Sequence, residues 1–208
     1  MRHKPRRGLT LRRSILSSGL VGISYVVTMT QLLPFTTVLR NGDPIRIREV
    51  GVQDRDLLVE GFRQLSPESR FFRFLAAHKD LSREELDRFT ATNDSTHMAI
   101  GAAVLHPNAE QPVAIARYVR ATPQDTEAEL ALTIIDSYQR LGLGTLMLET
   151  LAQAALAEGI TQFNALVHAD NDGMAALLHR FGATRTREGT EIEWRMPLAS
   201  LRPAALAG

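Results

Sequence analysis

The chain has 208 residues, a formal net charge of +1 and no cysteine. Its length suits one domain with a sizeable core, and its near-neutral charge gives no sign of a nucleic-acid-binding surface. The lack of cysteine excludes disulfides, thiolate metal sites and a cysteine nucleophile. The six histidines are scattered without the spacing of a zinc motif, so we expect no metal.

The N-terminal residues 1–34 form an extension that differs in composition from the rest. A basic run, MRHKPRRGLTLRR, precedes residues 14–39, which hold no charged side chain. This outline is typical of a signal peptide or a membrane anchor, but its Ser, Thr and Gly residues and Pro34 make it a poor membrane span. The alternatives are a weakly ordered extension or a true start at Met29. Any membrane contact is expected only through residues 14–39.

A folded domain is predicted for residues 35–198, with residues 199–208 as a tail. The domain opens with two β-rich runs around Asn41-Gly42, a strong hairpin signal. Three helices are predicted next. The first covers residues 54–65, the second starts at Ser66-Pro67-Glu68, and the third follows the capping-box pair Ser82 and Glu85.

The second half of the domain alternates strands and helices. Two strands, HMAIGAAVL and PVAIARYVR, flank the polar turn HPNAEQ. The next strand starts at Ala128, and the apolar run from Leu130 to Ile135 predicts that it is fully buried. The helix LMLETLAQAALA, the strand ITQFNALVH, the helix MAALLHRFG and a hairpin around Glu188-Gly189 follow. This order predicts an α/β, mixed α+β fold with a parallel βαβ crossover and helices on both faces of the sheet.

A glycine-rich turn joins the apolar strand to the long helix. It carries Gln139, Gly142 and Gly144 in the pattern Q-x-x-G-x-G. The free backbone N–H groups of such a turn, together with the positive end of the helix dipole, suit a diphosphate, and glycine lets the anion approach the backbone closely. An ordinary tight turn between a strand and a helix is the alternative for this pattern alone.

From about Thr37 to Leu198 the chain resembles the GNAT superfamily of acyltransferases. The resemblance rests on LALTIID, QRLGLGT, NALVH and NDGMAALLHRFGA. More narrowly, RQLSPESRFFRF, ARYVR and AELALTIIDSYQRLGLG are similar to the acetyltransferase domain of bacterial Pat-type protein lysine acetyltransferases. The resemblance implies a GNAT-like, mostly antiparallel sheet with a central parallel crossover. It also implies an N-acetyltransferase that uses acetyl-CoA and no metal.

The resemblance assigns roles to particular residues. Glu129 would be the general base, with His168 in reserve; the alternative for Glu129 is a solvated carboxylate at a strand end. Asn171 would contact the cofactor, cap a helix, or do both. Many members of the superfamily have a tyrosine as general acid where this chain has Leu178, so no acid is assigned. The implied cofactor-binding residues are Leu132, Thr133, Ile134, Gln139, Arg140, Leu141, Gly142, Leu143, Gly144, Thr145 and Asn171.

The expected reaction is direct transfer of an acetyl group to a primary amine in a ternary complex. A protein lysine is the preferred acceptor and a small-molecule amine the second. A catalytically silent domain that senses acyl-CoA, and a membrane-tethered interaction protein, are the rival hypotheses. We expect a cytoplasmic location, or an anchor that faces the cytoplasm, because the enzyme needs the cytosolic acyl-CoA pool. The sequence indicates no oligomeric state.

Overall fold

Eight strands form one sheet in this computed structural model, which describes residues 33–186 and 189–200. The predictions for the start of the extension, including Met29, and for residues 201–208 lie outside the described residues. The strands are β1 (Phe35–Val38), β2 (Pro44–Glu49), β3 (His97–His106), β4 (Ala109–Val119), β5 (Glu127–Ile134), β6 (Gln162–His168), β7 (Thr184–Arg185) and β8 (Glu191–Pro197). Their order in the sheet is β1-β2-β3-β4-β5-β6-β8-β7.

Five α-helices connect these strands in the described part of the chain. They are α1 (Arg55–Gln64), α2 (Pro67–Phe74), α3 (Arg83–Phe89), α4 (Leu143–Ala157) and α5 (Asp172–Arg180). Their starts follow the sequence signals. Ser66 caps α2 by accepting from the N–H of Ser69 at 3.1 Å, and Ser82 and Glu85 form the predicted capping box of α3. Short 3-10 turns cover Val52–Asp54, Asp136–Tyr138 and Leu198–Ser200.

The sheet is antiparallel except for one pair of strands. β5 and β6 run parallel, and α4 is the crossover between them. All other neighbours pair antiparallel, including β1 with β2 around the predicted Asn41-Gly42 turn and β7 with β8. The predicted fold class, a mixed and mostly antiparallel sheet with one parallel crossover, is therefore confirmed.

Helices cover the two faces of the sheet in separate groups. Alternation along β5 sends the side chains of Ala128 and Leu130 into the main core, together with fully buried residues of α4 such as Met147 and Leu151. The opposite face of β5, with Ala131 and Thr133, meets α1, α2 and α3. Each residue of β5 therefore belongs either to the α4 face or to the α1–α3 face of the sheet.

Two predictions about strands are wrong. The turn HPNAEQ is shorter than expected, because β3 and β4 pair as far as His106 and Ala109 and leave only two residues between them. The strand that leads to the glycine-rich turn is also not fully buried. Leu130 is buried, but the side chains from Ala131 to Ile134 are only partly buried, because the strand beside them departs.

Within residues 33–186 and 189–200, no helix has the length and apolar character needed to cross a membrane.

Candidate active site

The parallel pair β5–β6 separates part-way along its length and opens a cleft. The two strands are in register only from Glu127 opposite Gln162 to Glu129 opposite Asn164. Beyond this point the remaining residues of β5 have no strand on that side, although β4 still pairs with the other side. The cleft is therefore closed at Glu129 and open at the end that leads to α4.

Main-chain polar groups of β5 face this cleft. Ile135 N–H donates to the carbonyl of Val113 on the β4 side at 2.9 Å. The direction of main-chain hydrogen bonding alternates along an antiparallel strand. The N–H and C=O groups of Thr133 therefore also point toward β4, whereas those of Leu132 and Ile134 point toward the cleft. The structure thus divides the three strand residues that sequence reasoning grouped together. Only two of them offer main-chain groups to an amide-bearing chain in the cleft.

The glycine-rich turn at the open end presents unused N–H groups. In the described part of the chain, the backbone N–H groups of residues 140–145 donate to no acceptor, and the first helical bond at this end of α4 runs from Leu146 to Gly142 at 3.2 Å. Arg140 and Gly142 have positive φ values of 60° and 91°. These free donors at a helix start form a site that suits an anion.

The two glycines of the turn are required for different reasons. A Cβ on Gly142 would meet only the Arg40 side chain, at 3.7 Å from Nε, so the positive φ is what favours glycine there. A Cβ on Gly144 would lie 3.2 Å from Ile134 Cδ1 and 3.3 Å from Leu177 Cδ2. Gly144 therefore lets α4 pack closely on β5 and α5.

Arg40 is a residue near the turn that sequence reasoning missed. It lies between β1 and β2, about 100 residues before the turn, and its exposed side chain reaches Gly142. A guanidinium beside free N–H groups would add charge to an anion site. Nothing in the local sequence of the hairpin indicates this approach, because it depends on the packing of the sheet edge.

Gln139 joins the turn to α2. Its Nε2 donates to the carbonyl of Ile134 at 3.2 Å and to Ser69 Oγ at 3.4 Å. Asp136 accepts from the backbone N–H and the hydroxyl of Ser66 and from the Ser69 hydroxyl at 2.7–3.0 Å. Burial raises the pKa of this carboxyl, but these hydrogen bonds outweigh it and hold the pKa below its usual value. The network fixes the start of α2 against the turn.

His168, the last residue of β6, and Asn171, three residues later, lie near the open end of the cleft. Asn171 Oδ1 accepts from the N–H of Met174 at 3.0 Å, so this residue caps α5 as one of the two alternatives proposed. His168 Nδ1 accepts from the N–H of Asp170 at 3.2 Å, and its ring lies 5.2 Å and 5.7 Å from the rings of Phe71 and Phe72. His168 is four residues beyond Asn164, the partner of Glu129, and so sits away from the closed end.

Glu129 sits at the closed end of the cleft. Its side chain is exposed and lies on the α1–α3 face of the sheet, and it forms no hydrogen bond or ion pair with any described residue. It lines an open groove together with three other carboxylates and an amide, which belong to Asp125, Glu127, Glu193 and Asn164. A carboxylate in this position is free to accept a proton from a group that enters the groove.

The residues at and beside the position of the superfamily's general-acid tyrosine do not replace it. Leu178 is fully buried in the main core, and the adjacent His179 is exposed on α5. Neither side chain reaches the closed end of the cleft by any contact that the structure shows.

Comparison with known proteins identifies the family. Residues 55–183 match the model of the acetyltransferase (GNAT) family. The chain belongs to this family. It is 31% identical over 163 residues to an acetyltransferase of Pseudomonas aeruginosa, covering 77% of this chain and 87% of that protein. It is also 31% identical over 158 residues to acetyltransferase Pat of Mycolicibacterium smegmatis, covering 76% of this chain but only 46% of the relative.

Solved structures agree with this assignment. The GNAT domain of S. lividans PAT is 29% identical, with a TM-score of 0.72 over 79% of this chain and 96% of that domain. PaiA N-acetyltransferase from Thermoplasma acidophilum, solved in complex with coenzyme A, shares the fold at 17% identity, with a TM-score of 0.59 over 74% of this chain and 98% of that one. The protein is therefore an N-acetyltransferase that uses acyl-CoA and acts on an amine.

Proposed function

We propose that this GNAT protein transfers an acetyl group from acetyl-CoA directly to a primary amine, with Glu129 as general base. The observation that carries the proposal is a continuous path. It starts at the free N–H groups of residues 140–145, follows the unpaired edge of β5, and ends at Glu129. From Ile134 to Glu129 this path covers about 16 Å of strand.

The turn is proposed to hold the diphosphate of acetyl-CoA. The N–H groups of residues 140–145 are unused and lie at the start of α4, where the helix dipole favours negative charge; they belong to Arg140, Leu141, Gly142, Leu143, Gly144 and Thr145. Arg40 beside Gly142 adds a cation. Gln139 would act by holding the turn, since its amide is committed to Ile134 and Ser69.

The edge of β5 is proposed to bind the amide-bearing arm of the cofactor as an added strand would bind. Leu132 and Ile134 supply the main-chain groups that face the cleft, while Thr133 contributes to the opposite side of the strand. Asn171, on the far side of the opening, would add the side-chain N–H₂ group that its capping bond leaves free. A free strand N–H would also stabilise the negative charge that develops on the thioester oxygen.

Glu129 is proposed to remove a proton from the incoming amine. An alkyl ammonium with a pKa of ~10.4 is almost wholly protonated at neutral pH and has no lone pair for attack. The unpaired carboxylate at the closed end of the cleft can take that proton directly or through water. The thiolate of the product, with a pKa of ~8.5, can leave without a general acid, which is consistent with the apolar Leu178.

A protein lysine is the acceptor that we favour, and a small-molecule amine is second. The similarity to two Pat-type proteins supports the first. The carboxylates of Glu127, Glu193 and Asp125 along the groove would attract an ammonium group toward Glu129. A silent acyl-CoA sensor would not need an unpaired carboxylate at the closed end. The proposed location is the cytoplasm, where acyl-CoA is available.

The test is a screen of lysine peptides and small amines with acetyl-CoA, read by thiol release and by the mass of the acetylated product. We expect turnover with at least one amine and a strong loss in Glu129→Gln. Tight binding of acetyl-CoA by calorimetry, without product from any amine, would instead favour the silent sensor.

A further inference from the structure

Two guanidinium groups near Glu129 are free of ion pairs in the part of the chain that the structure describes. Arg117 on β4 lies opposite Ala131, two residues along β5 from Glu129 and on the same face of the sheet. Arg73 stands in the last turn of α2 and lines the same apolar pocket as Arg117. Within residues 33–186 and 189–200, neither side chain donates a hydrogen bond or forms an ion pair.

Aromatic rings provide the contacts that these arginines do make. The guanidinium carbons of Arg73 and Arg117 lie 5.6 Å and 5.0 Å from the centre of the Phe89 ring, and Arg88 lies 5.9 Å from the same ring. Arg73 also lies 5.1 Å from the ring of Phe74. Ring faces attract cations, but they use none of the five N–H donors of a guanidinium.

The positive charge here exceeds the negative charge that is free to balance it. Two carboxylates, those of Glu129 and Glu85, act to raise the pKa of Arg73 by their negative charge. Glu85 already accepts from the N–H of Ser82 at 2.8 Å and contacts His78 Nε2. Burial, followed by the charge of Arg117, lowers the pKa of Arg73 to about 10, so two cations are held together against their repulsion.

Another arginine of the same sheet shows what a structural role requires. Arg48 donates to both carboxylate oxygens of Asp54 at 2.7 Å and 2.9 Å and to Glu110 at 3.3 Å. Its charge and its donors are used within the protein. Arg73 and Arg117 are also only partly exposed, yet their donors bind no described residue, and both side chains line the apolar pocket that includes Ala131, two residues from Glu129.

We infer that Arg73 and Arg117 bind a carboxylate that the acceptor carries close to its reactive amine. The planar fork of a guanidinium matches a carboxylate, and two such groups at the edge of the pocket can hold it while the amine reaches Glu129. The inference rests on the proposed function and names the acceptor class. The carboxylate can belong to an Asp or Glu beside a lysine in a polypeptide, or to a free amino acid.

The first experiment compares matched acceptors. One peptide pair has a single lysine flanked by Asp or by Asn, and one small-molecule pair is an amino acid and its amide. We expect kcat/KM to be about tenfold or more higher for the acidic member of at least one pair, the size of a charge-assisted hydrogen bond. The pair that shows the preference identifies the source of the carboxylate.

Variants connect the preference to the two arginines. In Arg73→Met and Arg117→Met, the ratio of acidic to neutral kcat/KM should fall to near one. In Arg63→Met, an exposed arginine on α1, the ratio should stay at the wild-type value. If Arg117→Met fails to fold, the Arg73→Met variant on the helix carries the test.

A second readout needs no turnover. Succinate should raise the melting temperature of the wild type and of Arg63→Met more than that of Arg73→Met, at equal ionic strength. Equal rates for acidic and neutral acceptors, with equal stabilisation by succinate in all variants, would overturn the inference while the acetyltransferase proposal stands. If no amine is acetylated, the proposed function fails, and the succinate experiment still decides whether the arginines bind a carboxylate.

Discussion

The two faces of β5 differ in how their chemistry is built. On the α4 face, Leu130 enters the core, Leu132 and Ile134 pack toward Gly144, and the proposed cofactor site is made from main-chain groups. On the α1–α3 face, Glu129 stands among charged side chains from other elements. Main-chain donors depend on local geometry, whereas the charged face depends on which distant residues the fold brings together.

This difference explains why a local pattern could predict the glycine-rich turn as an anion site, whereas no local pattern indicated the arginines near Glu129. A strand, a glycine-rich turn and a helix are consecutive in the chain, so their pattern predicts the anion site directly. Arg73, Arg117 and Arg40 come from separate helices, strands and loops. Their meeting with Glu129 or with Gly142 depends on sheet order and helix packing, which no local pattern encodes.

The largest expected effect is on the charged face. Glu129→Gln keeps the shape of the side chain but cannot take a proton, so turnover should fall by roughly 10²–10⁴. Its matched control is Glu127→Gln, two residues earlier on the same face, whose carboxylate already accepts from Asn164 Nδ2 at 2.8 Å. Steady-state rates with saturating acetyl-CoA measure the difference. Equal losses in the two variants would remove the special role of Glu129.

The next largest effect is a loss of stability on the α4 face, at Gly144. Gly144→Val should destabilise the protein by about 1–3 kcal/mol, because its Cβ alone would lie 3.2 Å and 3.3 Å from the side chains of Ile134 and Leu177 and valine adds two more carbons there. Urea denaturation measures this loss. A fully stable Gly144→Val protein would show that α4 does not depend on a small residue at this contact, and the close-packing explanation would then be wrong.

Gly142→Ala should act on binding as well as on stability. Gly142 and Gly159 both have positive φ, 91° and 82°, and a Cβ has space at both, so alanine should cost each about 1 kcal/mol in stability. Only Gly142 lies in the turn. Its variant should therefore bind acetyl-CoA about tenfold more weakly by calorimetry, whereas Gly159→Ala should bind normally. A similar affinity in both variants would contradict the anion site.

The sequence also predicted burial less well than it predicted element type. The apolar run in β5 has the composition of a core strand, but the residues from Ala131 to Ile134 are partly exposed because β6 leaves the strand after Asn164. A strand that flanks a ligand cleft can have the same apolar composition as a strand that is buried in a sheet. The N-cap role of Asn171 shows the reverse case, since a local signal was sufficient to place it.

The smallest effect concerns His97, which β3 places on the charged face opposite Val119. Both ring nitrogens are buried and form no hydrogen bond with any described residue, and burial together with the charge of Arg117 lowers the pKa of His97 although Asp94 opposes this. The unfolded chain therefore binds more protons than the folded protein as pH falls below about 6.5, and stability falls with it. Between pH 7.5 and pH 5.5, His97→Phe should lose less unfolding free energy than the wild type. Parallel losses would mean that His97 does not titrate differently in the two states.

The most direct test of the cofactor path is amide hydrogen exchange with and without acetyl-CoA, resolved residue by residue by NMR. We expect the cofactor to slow exchange at Leu132, at Ile134 and through residues 140–145, which have free or cleft-facing N–H groups. Gly159, just after the far end of α4, should be unaffected. Protection confined to the groove around Glu193, or absent along the edge of β5, would contradict the proposed site.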